Sequence, residues 1–424
     1  MSELNQVELD AGEIKGFLQH VIENNRFIQA KGLTPVAQEI IGDSGLGKTS
    51  IAIQLAKEMG LHCVKLNLAQ IEELGDLVGF PVRQFELIKG GTTKAKIISK
   101  VVVVDGVKKV QKIEVPATGG DEQKMWADEN AVEEYLKQGW QFTEQKRMSY
   151  CPPEWIAGKT GGGFLMLDDW NRADIRFIQA IMELVDRQEY ISWKLPKDWH
   201  IILTANPDNG DYLVNTIDTA QRTRFVSIVL KWNHERWGEW AERNEIDTRC
   251  INFVLMHPEI VNARVNPRSL TTFFNCISSI QDFDNNLPMI SNIGEGSVGP
   301  EVATLFASFI NNKMDRMITP KEILLGEFTT TIIKQMKDIF GEGNDYRADI
   351  ASVITTRIIN FALYHAESNP ITPEIIDRLT TLIKEQDLLT DDLKYHVVKK
   401  ILNGNKQKFQ KMLIDTKVQE LATK

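Results

Sequence analysis

The segment IIGDSGLGKTSIAIQLAKEMG, residues 40–60, constrains what this chain can fold into more than any other. Gly42, Gly45, Gly47, Lys48 and Thr49 complete G-x-x-x-x-G-K-T, the spacing at which the backbone N–H groups of a glycine loop wrap a nucleotide's phosphates and a lysine reaches the β and γ groups. The flanks supply the context such a loop needs. Residues 35–41 read as a mostly apolar strand, and residues 50–59 carry Ile51, Leu55 and Met59 at helical spacing before Gly60 ends the run. Gly42, Asp43, Ser44, Gly45, Leu46, Gly47, Lys48, Thr49 and Ser50 are therefore the expected nucleotide-binding loop, with the Thr49 hydroxyl directed to Mg²⁺.

A rival reading takes GDSG, residues 42–45, as the surroundings of a serine nucleophile, Ser44, in a trypsin-like protease. Such a chain would be secreted, disulfide-rich and all-β. Here the four cysteines Cys63, Cys151, Cys250 and Cys276 form no close pairs, no leader-like segment opens the sequence, and the residues after Ser44 continue a phosphate loop. Reduced thiols, a cytoplasmic location and no membrane span are the expectation. The seven histidines are as scattered as the cysteines, which argues against a structural zinc site. A net charge of −9 argues against broad, sequence-independent binding of nucleic acid while leaving room for a local basic patch. At 424 residues the chain is long enough for two or three domains.

The acid that would hold magnesium is sought on a later strand. In GGGFLMLDDWNRAD, residues 161–174, a continuous apolar run from Phe164 to Leu167 reads as a strand buried on both faces of a parallel sheet, with Asp168 and Asp169 at its carboxyl end, where ligands sit in such sheets. Asp168 is the expected metal-holding residue together with Thr49. Asp169 is the expected base that orients and deprotonates the attacking water.

From this point the chain resembles a known family. The DDWNRA stretch is similar to the second nucleotide motif of MoxR-type AAA+ ATPases, relatives of the dynein and midasin-like branch, and further landmarks follow across about residues 10–280. IEELGDLVGFPV, residues 71–82, resembles a segment leading to a pore-facing loop around Gly79, Phe80 and Pro81. IILTANP, residues 201–207, ends in Asn206, the implied polar sensor of the γ-phosphate, although Asn-Pro is also a turn signal in its own right. DTAQRTRF, residues 218–225, resembles the stretch whose arginine reaches a neighbouring subunit's ATP, which implies Arg224, with Arg222 as the alternative. NPRSL, residues 266–270, resembles the second sensor and implies Arg268 at the start of a lid helix. Asn67, closing a strand over residues 63–67, fits the polar position that in relatives restrains the catalytic acid. One departure is that Asp169 stands where most members have Glu, which allows slow hydrolysis.

The resemblance implies an α/β AAA+ P-loop NTPase core with a central parallel sheet and inserted β-hairpins, followed by an α-helical lid and a C-terminal helical region. The expected divisions are residues 1–230, with an insertion at about 87–150, then 231–315 and 316–424. The cofactors implied are ATP and Mg²⁺, and the activity is ATP hydrolysis by a ring, usually a hexamer, that remodels a protein substrate or works with a partner carrying a von Willebrand factor A domain.

Within the insertion, Lys96–Val104 and Val107–Val115 read as strands joined by Asp105-Gly106, a strong hairpin signal. Lys94, Lys96, Lys100, Lys108, Lys109 and Lys112 would make the hairpin over residues 94–116 basic, either to keep its edges from pairing or to contact a partner or nucleic acid. An amphipathic stretch over 130–139 and an ordered loop over 148–155 should follow. Residues 190–199 read as a second hairpin. Lid helices are expected over 236–242, 251–256, 270–277 and from Pro300, and helical periodicity continues from about residue 320 to the end. Two other functions fit these residues: an ATP-gated scaffold with little turnover, and a DNA-acting motor or loader that uses the basic hairpin.

Overall fold

The computed structural model describes residues 7–90, 96–104, 107–115, 122–262, 264–314, 317–326, 330–341 and 343–423. The chain enters as β1 (Val7–Leu9) and α1 (Ala11–Ala30). A reciprocal cap starts that helix: the Asp10 carboxylate accepts from the Glu13 N–H, and the Glu13 carboxylate accepts from the Asp10 N–H. β2 (Ala37–Ile41) leads through the glycine loop into α2 (Lys48–Glu58), followed by β3 (His62–Asn67) and the short α3 (Leu74–Val78). An inserted unit comes next, made of β4 (Phe80–Lys89), β5 (Lys96–Val104), β6 (Val107–Val115), β7 (Gln123–Asp128), α4 (Val132–Lys137) and β8 (Gln141–Cys151). The main sheet resumes with β9 (Gly163–Asp168), α5 (Ile175–Arg187), the paired short strands β10 (Glu189–Tyr190) and β11 (Trp193–Lys194), β12 (Trp199–Ala205), α6 (Thr219–Arg222) and β13 (Phe225–Leu230).

The central sheet has the order β1-β13-β2-β12-β9-β3, and every neighbouring pair is parallel. Its inner strands are apolar on both faces because helices cover both. Along β9, Phe164 and Met166 meet Ile14, Leu18, Ala52 and Leu55 from α1 and α2, while Leu165 and Leu167 point the other way toward Phe177, Ile178 and Ile181 of α5. The edge strand β3 keeps His62 and Cys63 exposed, as a strand with one free side can. All these strands deliver their carboxyl ends to one side of the sheet, and β2 carries the glycine loop there.

The inserted strands begin earlier than the sequence reading of about 87–150. They span Phe80 to Cys151, because β4 pairs antiparallel with both β7 and β8 into a three-stranded sheet that the sequence did not announce. Phe80 and Pro81 accordingly open a strand, with Phe80 opposite Cys151, instead of forming a loop. Gly79 makes the abrupt start: its φ is 86°, and a Cβ there would lie 1.9 Å from the Cys151 carbonyl oxygen. The Phe80 ring lies over Gly75 yet remains 56% exposed. Residues 148–151, expected in a loop, belong to β8. β5 and β6 pair over the expected ranges. Lys94, Asp105, Gly106, Pro116 and the side chains of Lys96, Lys100, Lys108, Lys109 and Lys112 lie outside the described residues.

The remainder is helical: α7 (His234–Arg243), α8 (Thr248–Met256), α9 (Pro267–Ile277), α10 (Leu287–Val298), α11 (Pro300–Asn311), α12 (Pro320–Leu325), α13 (Thr330–Phe340), α14 (Ala348–Ser368), α15 (Pro373–Lys384), α16 (Asp391–Phe409) and α17 (Thr416–Thr423). α10 has no counterpart among the expected helices; Pro288 sits in its first turn, where a missing N–H costs nothing. Buried side chains from Trp237 to Val418 form one hydrophobic cluster that draws on both expected helical divisions. α7 is bound to α14 by two ion pairs, Arg357 with Glu242 at 2.5 Å and Arg243 with Glu367 at 2.5 Å, the first of them buried. Arg357 also donates to Asn252 of α8 at 2.8 Å. Among the described residues no helix is long and apolar enough to cross a membrane.

Candidate nucleotide site

A cleft of about 850 Å³ lies over the carboxyl ends of β2, β9 and β12, between the sheet and the helical half. Its floor is the glycine loop. Gly45 and Gly47 hold φ of 80° and 98°, which glycine adopts without steric penalty, and at Gly45 a second constraint applies. A Cβ there would fall 2.4 Å from Asn266 Oδ1, the side chain that caps α9, so the loop and the helical half approach as closely as backbone allows. Arg268 in the first turn of α9 is brought to the cleft by the same contact.

Lys48 is nearly buried and points back across the loop, donating to the carbonyls of Gly42 at 2.5 Å and Asp43 at 3.0 Å and to Asn206 Oδ1 at 3.1 Å. Burial lowers its pKa to about 8 despite the nearby carboxylates of Asp169, Asp168 and Asp43, while Arg268 adds to the lowering. The Asn206 amide bridges two groups: its oxygen accepts from Lys48 and its nitrogen donates to Asp169 Oδ1 at 3.1 Å. Asn171 fixes that bridge from behind, donating to the Asn206 carbonyl at 2.8 Å and accepting from its N–H at 3.2 Å. Asp169 itself adopts the left-handed conformation, φ 53° and ψ 37°, a region that Asp and Asn tolerate better than other side chains.

The Thr49 hydroxyl donates to Asp168 Oδ1 at 2.8 Å, and the Thr204 hydroxyl donates to the same oxygen at 2.6 Å while accepting the Asp169 N–H at 3.1 Å. Lys65 from β3 places its ammonium 2.8 Å from Asp168 Oδ2. Burial would raise the Asp168 carboxyl, but hydrogen bonds from Lys65, Thr204 and Thr49 hold it below the usual carboxylate range. A hydroxyl and a carboxylate side by side at the loop mouth are hard oxygen donors of the kind magnesium takes, with substrate phosphate oxygens and water filling the rest of its shell. An ammonium resting on the outer carboxylate oxygen shows that the position accepts positive charge. The residues present therefore fit the implied cation.

The structure thus gathers Lys48, Thr49, Asp168, Asp169, Asn206 and Arg268 around one cleft. Arg224 is elsewhere. It precedes β13, whose first residue Phe225 pairs with Ala37 at the start of β2, whereas the glycine loop follows Ile41 at that strand's far end; a strand of that length spans about 16 Å. Arg224 instead pairs with Asp186 at 2.6 Å, and Arg222 beside it is exposed. Asn67 does not reach Asp169: its side chain accepts from the Ala69 N–H at 3.2 Å, and Asn206 makes the contact with the acid.

Several residues of the site escaped the sequence reading. Thr204 and Lys65 are polar positions inside strand-like runs and so carried a detectable signal. Tyr212 carried none: from the loop after β12 its hydroxyl accepts the Ser44 N–H at 3.1 Å and donates to Asp43 Oδ1 at 3.3 Å, covering the cradle. The far wall of the cleft, formed by Trp232, Arg236, Glu239, Trp240 and Arg243, comes largely from α7.

No protein-family model matches the chain, and no curated protein matches it. Among solved structures the chain is similar to a mutant of RuvB from Thermotoga maritima at 11% identity, covering 86% of this chain and 90% of that one, with a TM-score of 0.35. That score is too low for a shared architecture to be read from it, so the α/β sheet and its glycine loop stand on this chain's own geometry.

Proposed function

We propose that this chain is a Mg²⁺-dependent ATPase of the AAA+ class, of MoxR type, that hydrolyses ATP at the cleft over β2, β9 and β12. The observation that carries the reading is the continuous relay Lys48–Asn206–Asp169 set beside the Thr49–Asp168 pair, all at the mouth of the glycine loop. Loop N–H groups and the Lys48 ammonium bind the phosphates. Asn206 holds the Asp169 carboxylate in line with Lys48, so the base faces the end of the phosphate chain, where it takes a proton from the attacking water. Bound at Thr49 and Asp168, the divalent cation would neutralise charge developing between the β and γ groups.

The placement of Arg224 supports assembly. An arginine at the amino edge of the sheet cannot serve the cleft at the carboxyl edge of its own subunit, and in a closed ring it would face the cleft of the next. We therefore read the working form as a ring, hexameric by resemblance to the family, located in the cytoplasm. Its work is remodelling a protein partner, with a von Willebrand factor A domain protein as the resemblance-based candidate. Exposed Phe80 is the position proposed to line the pore.

A mixing experiment tests this. Lys48→Ala should lose nucleotide binding, Arg224→Ala should bind ATP without hydrolysing it, and joint assemblies of the two should regain activity because an intact cleft then meets an intact arginine. ATP binding that persists unchanged in Lys48→Ala refutes the site. Joint assemblies without any rescue refute an arginine acting between subunits, and repeating the mixture with Arg222→Ala identifies which arginine it is.

A further inference from the structure

Lys65 has no role in the reading above, yet from beside the cleft it makes a close charge contact with Asp168, which lines it. It stands on edge strand β3, opposite Met166 of β9, two residues before Asn67, which is opposite Asp168. From that position the side chain runs along the strand toward its carboxyl end and sets Nζ 2.8 Å from Asp168 Oδ2. The two carboxylate oxygens are treated differently. Oδ1 accepts from the hydroxyls of Thr49 and Thr204, whereas Lys65 is the side chain paired with Oδ2. Asp168 is nearly enclosed, and the Lys65 side chain is 42% exposed.

We propose that Lys65 is a positioning residue for the divalent cation: its ammonium occupies the Asp168 oxygen that the two hydroxyls leave free and must move off that oxygen when a cation binds, which sets how tightly the cation is held. This rests on the ATPase reading and deepens it. Two features favour the role over a structural ion pair. The ammonium lies at the oxygen that Thr49 and Thr204 leave free, so it and a metal compete for the same lone pairs. The long, half-exposed stem lets the ammonium swing into water without disturbing β3, whose backbone is held by its pairing with β9. Meanwhile the two hydroxyls keep Asp168 oriented, so the carboxylate remains a formed ligand after Lys65 leaves.

The test uses the full-length protein, Mn²⁺ as the probe metal and a non-hydrolysable ATP analogue at saturation. Free Mn²⁺ is read by its electron paramagnetic resonance signal, which reports binding independently of turnover. Lys65→Met should bind Mn²⁺ about tenfold more tightly than the unsubstituted protein, the equivalent of one exposed charge-assisted hydrogen bond no longer competing. Lys65→Arg, which restores a cation at the same place, should return the affinity to near the original value. Mn²⁺ affinity that is unchanged or weaker in Lys65→Met, or that rises equally in Lys65→Arg, overturns the proposal. The unsubstituted protein separates the two levels of the argument: if it binds neither analogue nor Mn²⁺, the ATPase reading falls and takes this inference with it, whereas normal binding with an unmoved Lys65→Met sinks the inference alone.

Discussion

On the proposed function, replacing Asp169 by asparagine should separate holding the nucleotide from hydrolysing it. The substitution is nearly isosteric, and asparagine tolerates the left-handed backbone at φ 53° as well as aspartate does. The amide oxygen can still accept from Asn206. The change removes the ion pair with Arg172 at 3.8 Å, which joins partly exposed groups and contributes about 1 kcal/mol or less. Folding and ATP binding should therefore change little. Hydrolysis should not survive, because an amide cannot take the proton of the attacking water, and removing a general base lowers a rate by about 10² to 10⁴, or about 3–5 kcal/mol of barrier. Single-turnover hydrolysis of labelled ATP, measured beside displacement of a fluorescent nucleotide, reads both quantities. A rate that falls less than tenfold while binding is intact would refute the assignment of Asp169 as the base. The companion change Asp169→Glu inserts a methylene where the backbone is left-handed, at a strain cost of about 1 kcal/mol, and pushes the carboxylate past the Asn206 amide. It should be slower than the natural residue; a faster Asp169→Glu would mean that the short acid limits the reaction.

Other outcomes follow from the same geometry. With Lys48 at a pKa of about 8 in the free protein, bound phosphates will hold its proton to higher pH, so nucleotide affinity should be flat below pH 8 and fall about tenfold per pH unit above it. Folding stability should move oppositely, rising above pH 8, because the unfolded lysine keeps its proton up to the ordinary 10.5 while the folded one has released it; titration calorimetry and urea unfolding at pH 7, 8 and 9 check both signs, and a flat affinity contradicts them. Gly45→Ala should cost about 2 kcal/mol, from left-handed strain and a disturbed Asn266 cap, whereas Gly47→Ala, with open space around its Cβ, should cost about half of that; equal losses in denaturant unfolding would refute the close-approach argument. Arg357→Met strands buried Glu242 and should cost about 3–5 kcal/mol, most of it recovered when Glu242→Gln is added; a double variant no more stable than the single one would show that the pair is not the cause.

What the sequence disclosed is what neighbours along the chain can encode. The glycine spacing, the apolar run of β9 ending in its acids, and the paired runs β5 and β6 are all written within stretches of about twenty residues or fewer. The three-stranded sheet of the insertion is not, since FPVRQFELIK lacks clean alternation and its partners β7 and β8 lie beyond the intervening hairpin. The same holds inside the cleft. Lys65 and Thr204 stand out locally as polar residues inside strand-like runs, but that they and Tyr212 meet Asp168 and Ser44 follows from the parallel sheet and the loop after β12, which no local pattern marks. Asn206 fits both an Asn-Pro turn and a polar sensor by sequence. In the structure the backbone leaves the strand there while the amide spans Lys48 and Asp169.

α7 belongs to two places at once. One side supplies the cleft wall through Arg236, Glu239, Trp240 and Arg243, the last paired with Glu367 of α14 at the cleft, while Glu242 is clasped by the buried Arg357 of α14. A rod fixed at both faces cannot follow a closing cleft without dragging its clasp, and the clasp sits in a hydrophobic cluster that reaches Val418 without a break. On the proposed function, a ligand that shifts α14 should change the nucleotide's affinity, and the nucleotide should change that ligand's affinity by the same factor in return.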